Sequence, residues 1–282
     1  MAETEKEDLP VERGQRKALE KEEAMKIIGD LIAGDKGRDI FRGQPRTGLP
    51  LLPKALRKEF QDGNHIEALK RFRRECWAFG LTATGSLEDL AIAQHSGLAT
   101  YLLDWTTNPL VALFFACGED RDKDGTALGG DVFVLNNPEP IGDEDIKEDR
   151  WMNIKGLKLY NPRLVDPRIT RQKGLFTIQG TENKTVKDLL SSHHELITHL
   201  VPAELKQALL EVLYTMGIDR STLFPDPDGL CARINWETKN RIERDFPPVS
   251  GARIVYLHTL RGAVMTSGVV TTSPTYCVQS WT

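Results

Sequence analysis

The stretch from Leu87 to Cys117 constrains the fold of this chain more than any other. It reads LEDLAIAQHSGLATYLLDWTTNPLVALFFAC: a short helical run, a glycine turn, a strand-like apolar segment and a second helix. Asn108 followed by Pro109 is typical of a helix start, and the apolar run after them indicates a buried helix. Polar side chains that can bind or react lie at the junctions between these elements. We therefore expect the core and the functional site to meet in this stretch.

Helical and strand-like patterns alternate along the rest of the chain without a regular βαβ period. This order predicts an α+β fold with a mixed or antiparallel sheet flanked by helices. The predicted helices cover residues 15–33, 65–79, 87–94, 202–216 and 230–241, and the predicted strands cover residues 39–44, 101–103, 131–135, 174–179 and 195–201. Residues 136–168 carry four prolines and an acidic cluster, and we expect them to be irregular.

The chain of 282 residues is long enough for one large domain. Residues 1–14 are acidic and polar, which predicts a disordered tail. Residues 15–245 carry the patterns of a folded domain. Residues 246–282 contain no acidic residue and are rich in Val, Thr and Ser, so we expect a β-rich or loosely ordered tail.

A net charge of −4 argues against a nucleic-acid partner, because no overall basic field is present. The basic run KRFRR at residues 70–74 is interpreted as the solvated face of a helix, with a nucleic-acid surface as the alternative. No apolar stretch reaches membrane-spanning length and no signal-peptide core is visible, so we expect a cytoplasmic protein without a membrane partner. The four cysteines are far apart and His193-His194 reads as a surface turn, so we expect no metal site.

Four segments of the chain resemble the FRG domain family. They are Phe41-Arg42-Gly43-Gln44, the block AQHSGLATYLLDWTTNPLVALFFAC, RITRQKGLFTIQG from Arg168, and MGIDRSTLFPDPDGL from Met216. The resemblance spans Asp39 to Trp236 and implies that residues 15–245 form an FRG domain with helical extensions at both ends. The family is found mostly in bacteria and phages, and its biochemistry is largely unknown. The resemblance therefore implies a fold more than a reaction.

Three positions depart from the family pattern. Ala99 and Tyr101 stand where the family usually has Pro and Arg, and Pro227 stands where Leu is more usual. If the missing arginine helps to bind an anionic ligand in the family, that binding is in doubt in this chain. Whether this copy is active is left open by the sequence.

Arg42 is the first candidate for ligand binding. A planar guanidinium followed by Gly43 suits a phosphate or pyrophosphate, because the fork binds oxygens in pairs and glycine allows close approach. A structural salt bridge with Asp104 or another carboxylate is the alternative. His95, beside Gln94, could move protons or donate to a phosphate, or it could be a satisfied structural histidine that packs on Trp105.

The cluster Asp104-Trp105-Thr106 is the second candidate. The start of the helix at Pro109 offers free N–H groups to an anion, Trp105 could stack on a base or nicotinamide ring, and Asp104 could bind a ribose hydroxyl. The alternative is that Trp105 belongs to the core and Asp104 caps a helix.

The order of these features also resembles ADP-ribosyltransferase-like folds, in which an arginine and a hydroxyl hold NAD and a later glutamate activates the acceptor. That glutamate is missing here, so Gln172 or Gln179 would have to replace it. The hypothesis is a pocket for a nucleotide or NAD, with NAD as substrate rather than cofactor if the protein is an enzyme. The candidate catalytic residues are His95, Asp104 and Gln172, and the candidate ligand-binding residues are Arg42, Gly43, Gln44, Gln94, Thr100, Trp105 and Thr106. The alternative is a non-catalytic sensing or interaction module with a protein partner, for example in phage–host conflict.

Overall fold

The computed structural model describes residues 10–60, 62–163 and 167–242. The chain divides into two units, Met1–Ile242 and Glu243–Thr282, and all described residues belong to the first. The described strands are β1 (Ile40–Gln44), β2 (Leu102–Thr106), β3 (Gly130–Asn136), β4 (Lys158–Tyr160), β5 (Gly174–Ile178) and β6 (Glu195–Val201). The described α-helices are α1 (Pro10–Ala33), α2 (His65–Glu75), α3 (Glu88–His95), α4 (Pro109–Ala116), α5 (Asp143–Ile146), α6 (Pro167–Arg171), α7 (Val186–Leu189), α8 (Lys206–Thr215), α9 (Arg220–Leu223) and α10 (Pro227–Lys239).

The six strands form one antiparallel sheet in the order β4-β5-β2-β1-β3-β6. This confirms the predicted α+β class and selects the antiparallel alternative. Most neighbouring strands pair over several residues: β1 pairs with β3 at five positions and β2 with β5 at five. In contrast, β1 and β2 pair at one position, Phe41 with Thr106. The pairing between the two central strands is therefore short, and Arg42 lies next to its one paired position.

Alternation along the strands directs apolar side chains to both faces of the sheet. On one face, Phe41 and the valines of β3 pack against α1, α4 and α8. On the same face, Leu102, Phe176 and Ile178 pack with α2, α3 and Trp151. The opposite face buries Trp105 and its neighbours beneath Leu51, Leu157 and Val186. The junction between the two helical clusters lies over the centre of the sheet.

The helix α4 is the central support of this arrangement. Asn108 is its N-cap and accepts a hydrogen bond from the Leu110 N–H at 3.0 Å, and Pro109 occupies its first turn, as the sequence predicts. The helix lies so close to β1 that a Cβ atom on Gly43 would sit 1.8 Å from the Ala112 carbonyl oxygen. Glycine at this position is therefore required by helix–strand packing.

Several predicted boundaries shift in the structure. The helix α1 begins at Pro10, within the segment predicted as a disordered tail, while residues 1–9 and the tail predicted at 246–282 lie outside the described residues. The segment 136–168, predicted to be irregular, contains α5 and β4. The strand β4 has only three residues at the sheet edge, so its alternation is too short to recognise. None of the described helices is long and apolar enough to cross a membrane.

Candidate functional site

The side chain of Arg42 reaches from β1 to the backbone of β2. Its Nη1 donates to the Asp104 carbonyl oxygen at 2.6 Å and lies 3.6 Å from the Asp104 carboxylate. The Arg42 side chain is 14% exposed, whereas that of Asp104 is 61% exposed. The predicted alternative, an ion pair between Arg42 and Asp104, is thus present. It joins two strands that share a single ladder position.

The electrostatics of Arg42 differ from those of a surface arginine. Burial lowers the pKa of the guanidinium, Asp104 opposes this shift, and repulsion from Arg57 adds to it. Among the described residues, the buried Nε of Arg42 has no hydrogen-bond partner. A buried donor without an acceptor costs about 1–3 kcal/mol.

A hydrogen-bonded chain links Asp104 to the end of α3. The Gln94 amide donates to the Asp104 carboxylate at 2.6 Å, and the Thr100 hydroxyl donates to the Gln94 carbonyl oxygen. Thr100 is itself fixed, because its hydroxyl accepts the Leu102 N–H at 3.2 Å. The structure therefore brings together four of the predicted site residues, which we call the Arg42 network: Arg42, Gln94, Thr100 and Asp104.

Two basic residues that the sequence analysis did not select lie beside the Arg42 network. Lys54, at the start of the short 3-10 helix Lys54–Leu56, donates to the Gly97 carbonyl at 2.9 Å. The Ala55 N–H donates to the Thr100 carbonyl at 3.1 Å, which fixes this helix against the turn before β2. Arg57 is exposed and acts on Arg42 through its charge. The sequence offered no specific signal for this pair, because Arg57 follows the helix with an extended backbone.

Three other predicted ligand-binding residues are held by contacts within the fold. Trp105 is 3% exposed within the core, and its indole N–H donates to the Thr177 hydroxyl at 2.9 Å. This placement corresponds to the core alternative rather than to an open stacking surface. Gly43 faces α4, and the buried Gln44 donates to the Leu49 carbonyl at 2.9 Å. These residues support β1 and β2 from within.

Thr106 and Gln172 meet in a second cluster. The Thr106 hydroxyl donates to the Gln172 carbonyl at 2.6 Å and accepts the Asn108 N–H at 3.0 Å. The Gln172 side chain donates to the Leu223 carbonyl at 3.1 Å, and the Gln179 side chain donates to the carbonyls of Glu182 and Lys184. Both glutamines thus donate to backbone carbonyls, and among the described residues no hydrogen bond connects Gln172 to the Arg42 network.

His95 is the last residue of α3 and directly follows Gln94. Its side chain is exposed to solvent. The structure therefore places two predicted catalytic residues, His95 and Asp104, next to Gln94 in sequence or space. The third, Gln172, lies in the second cluster.

The basic run of α2 does not form an uninterrupted basic surface. Arg73 is largely buried and binds Asp89 and Asp149, while Arg71 pairs with Glu75 at 2.8 Å. Cys76, Cys117 and Cys231 are free thiols. In the described part of the chain, no group of three or more His, Cys, Asp or Glu side chains is arranged to hold a metal ion.

Comparison with known proteins identifies one family. Residues 37–125 match the family model of the FRG domain, and this range contains every residue of the Arg42 network but ends before Gln172. No curated protein matches the chain, and no solved structure matches it.

Proposed function

We propose that this chain, a member of the FRG domain family, binds a nucleotide or NAD-type ligand at the Arg42 network. The single observation that carries the proposal is the state of Arg42: a buried guanidinium with an unpartnered Nε, opposite a carboxylate that is itself largely exposed. A phosphate or pyrophosphate oxygen would satisfy this donor. Arginine suits such a ligand, because its fork binds two oxygens at once.

The surroundings of Arg42 favour an anion with polar hydroxyl groups nearby. Arg57 and Lys54 add positive charge beside the Arg42 network. The exposed Asp104 carboxylate, oriented by Gln94, could accept hydrogen bonds from a ribose. Trp105 does not supply the stacking surface in this proposal, because its ring lies in the core.

If the domain is catalytic, the reaction in this proposal is NAD hydrolysis or ADP-ribosyl transfer. The bond between nicotinamide and ribose breaks, nicotinamide leaves, and the ribose carbon bonds to water or an acceptor. The order of the sequence features, similar to that of ADP-ribosyltransferase-like folds, supports this reading by analogy alone. Since Gln172 is turned toward Leu223, the acid–base role falls to Asp104 or His95.

The first test compares Arg42→Ala with Arg46→Ala. Arg46 is the matched control, since it lies on the same chain segment but pairs with Asp120. Removing charge-assisted hydrogen bonds worth about 1.5–3 kcal/mol should weaken binding of NAD or ADP-ribose by about 10- to 100-fold in Arg42→Ala only. Calorimetric titration measures the affinity, and nicotinamide release measures any turnover.

The alternative function is a non-catalytic sensing or interaction module. It is favoured by one observation, that Asp104 already pairs with the Arg42 Nη1 and the Gln94 amide within the chain. Binding of NAD without nicotinamide release would support a sensing role. Equal affinities of wild type and Arg42→Ala for every nucleotide would refute the ligand site and direct the search to protein partners.

A further inference from the structure

A cavity of about 400 Å³ lies beside the C-terminal end of α4. Its walls come from the end of α4, the loop after it, α8 and α10. None of its lining residues belongs to the Arg42 network. The volume falls within the range of about 300–1,000 Å³ that is typical of small-molecule sites.

The body of this cavity is apolar and aromatic. It is lined by Phe114, Phe115, Leu210, Tyr214, Ile218 and Trp236. The rings of Tyr214 and Trp236 are in contact, with centroids 5.3 Å apart. Such a lining favours a ligand with a flat or apolar body.

Four cations line the cavity, Lys206 and three arginines (Arg121, Arg220 and Arg233), and of these Lys206 is the buried one. Lys206 is 8% exposed, and its Nζ donates to the carbonyls of Pro45 at 2.7 Å and Gly118 at 3.0 Å. An ammonium group has three N–H donors, so these carbonyls use two of them. Among the described residues, no aspartate or glutamate forms an ion pair with Lys206. Its charge is therefore surrounded by dipoles rather than neutralised by a carboxylate.

The position of Lys206 in its helix makes this charge more unusual. It is the first residue of α8, which continues directly from the 3-10 turn Ala203–Leu205, and no side chain caps this junction. A helix N-terminus carries positive partial charge and normally attracts acidic residues. A buried lysine at this position adds a second positive charge to the first. Burial accordingly lowers the pKa of Lys206, although Cys117 and Asp120 oppose that shift.

The acidic residues around the cavity have other partners. Asp120 is bound by both the Nε and Nη2 atoms of Arg46, and Glu119 pairs with Lys239 at 3.0 Å. Asp219 caps α9 by accepting the N–H groups of Ser221 and Thr222. The thiol beside Lys206 is neutral, since burial raises the pKa of Cys117 to about 12. An anion that enters the cavity would thus meet no carboxylate already in direct contact with Lys206 among the described residues.

We propose that this cavity is a second ligand site, which takes a small molecule with an apolar or aromatic body and one anionic group held by Lys206. The apolar lining recognises the body and the lysine recognises the carboxylate or sulfonate. This site shares no residue with the Arg42 network, and its proposed ligand does not depend on the ligand proposed there.

A pair of probes separates the two parts of this recognition. Anilinonaphthalene sulfonate has an aromatic body and an anionic group, and N-phenylnaphthylamine has the same body without the charge. Lys206→Met should weaken binding of the sulfonate about tenfold and leave the affinity for the neutral probe within about twofold, because only the ion contact is lost. Lys206→Arg keeps the charge and should retain sulfonate binding. Lys36→Met, which removes an exposed lysine, is the matched control.

Leu210→Trp locates the probes, because the larger side chain fills the cavity and should abolish binding of both. Fluorescence titration measures each affinity. Equal loss of both probes in Lys206→Met, or unchanged sulfonate binding in Leu210→Trp, would overturn the proposal. Should Lys206→Met fail to fold, the comparison uses the wild type and Leu210→Trp. The wild type must then bind the sulfonate more tightly than the neutral probe, and Leu210→Trp must bind neither probe.

Discussion

At the residue scale, Arg71 and Arg73 of α2 show how two identical side chains differ by environment. Arg71 is 70% exposed and pairs with Glu75 one turn away. Arg73 is 16% exposed and binds two carboxylates, Asp89 at 2.6 Å and Asp149 at 2.9 Å. Asp89 is fully buried and also accepts the N–H groups of Thr84 and Gly85. Arg73 thus anchors the start of α3 to α2.

Arg73→Ala should destabilise the protein by about 3–5 kcal/mol, because it leaves the buried Asp89 without its cation. Arg71→Ala is the matched control on the same helix, and it should change stability little, because an exposed pair is screened by solvent. Urea denaturation gives both free energies of unfolding. Similar losses for the two variants would show that the buried cluster contributes no special stability.

The same contrast shows what could be predicted for single residues. The solvated helix face predicted for KRFRR describes Arg71 but not Arg73, since the partners Asp89 and Asp149 are distant in sequence. The contact between Arg42 and Asp104 was one of two predicted alternatives, although the sequence did not show that their strands are adjacent. The burial of Trp105 was also an open alternative. It depends on Thr177 of β5, which no local pattern places beside Trp105.

At the scale of elements, the packing of β1 against α4 allows a second prediction. A Cβ atom at Gly43 would lie 1.8 Å from the Ala112 carbonyl and 2.7 Å from the Ala116 nitrogen. Gly43→Ala must therefore push the helix from the strand and should cost at least about 2 kcal/mol of stability.

The control for this prediction is Gly29→Ala in α1, which should have the opposite sign. Gly29 is exposed, and a Cβ atom there meets nothing within 4 Å. Alanine is favoured over glycine in a helix by about 1 kcal/mol, so this variant should be stabilised. The melting temperature should fall in Gly43→Ala and rise in Gly29→Ala. A tolerated alanine at Gly43 would mean that glycine serves ligand approach instead of packing.

Most elements were predictable because their local signals are strong. The bounds of β6 were predicted as Glu195–Val201, and the Asn-Pro start of α4 was recognised from its capping residues. The start of α10 was placed late, at Leu230, whereas the helix begins at Pro227 with Asp226 as its N-cap. The hydrogen bond from the Gly229 N–H to the Asp226 carboxylate, which fixes this start, could not be read from composition.

At the scale of the whole molecule, several surface carboxylates link the folded state to pH. Hydrogen bonds and neighbouring cations lower the pKa of each below its ordinary value; they are Asp120, Glu139, Glu144, Glu182, Asp188 and Asp226. A carboxylate with a lowered pKa stabilises the fold at pH values above its unfolded pKa. That stabilisation is lost as the pH falls through the folded pKa.

The melting temperature should therefore be nearly constant near neutral pH and fall as the pH drops below the ordinary carboxyl values of 3.8 and 4.5. Asp226→Asn, which weakens the contacts with Arg168 and the Gly229 N–H, should melt lower at neutral pH and lose less on acidification. Calorimetry between about pH 7 and pH 3 checks both effects. A wild-type melting temperature that rises on acidification would contradict this account.

The strand order was the part of the whole molecule that the sequence could not supply. The central strand β1 is first in the chain but pairs with β2 and β3 on either side, and β6 joins β3 across more than fifty residues. Antiparallel sheets allow many such orders, and hydrophobic alternation specifies faces, not neighbours. The α+β class followed from the pattern of elements. The position of Arg42 at the weak joint between β1 and β2 followed only from the order.

The order of the sheet also sets how this molecule can associate through its backbone. At the β4 end, the Leu159 N–H donates to Glu139 and its carbonyl accepts from Ile141, so a segment containing Pro140 already covers that edge. At the other end, β6 has no further strand beside it among the described residues. A sheet with one open edge cannot grow at both ends. Two copies that paired through β6 would use up both open edges, so strand pairing would stop at a dimer and not continue into a fibre.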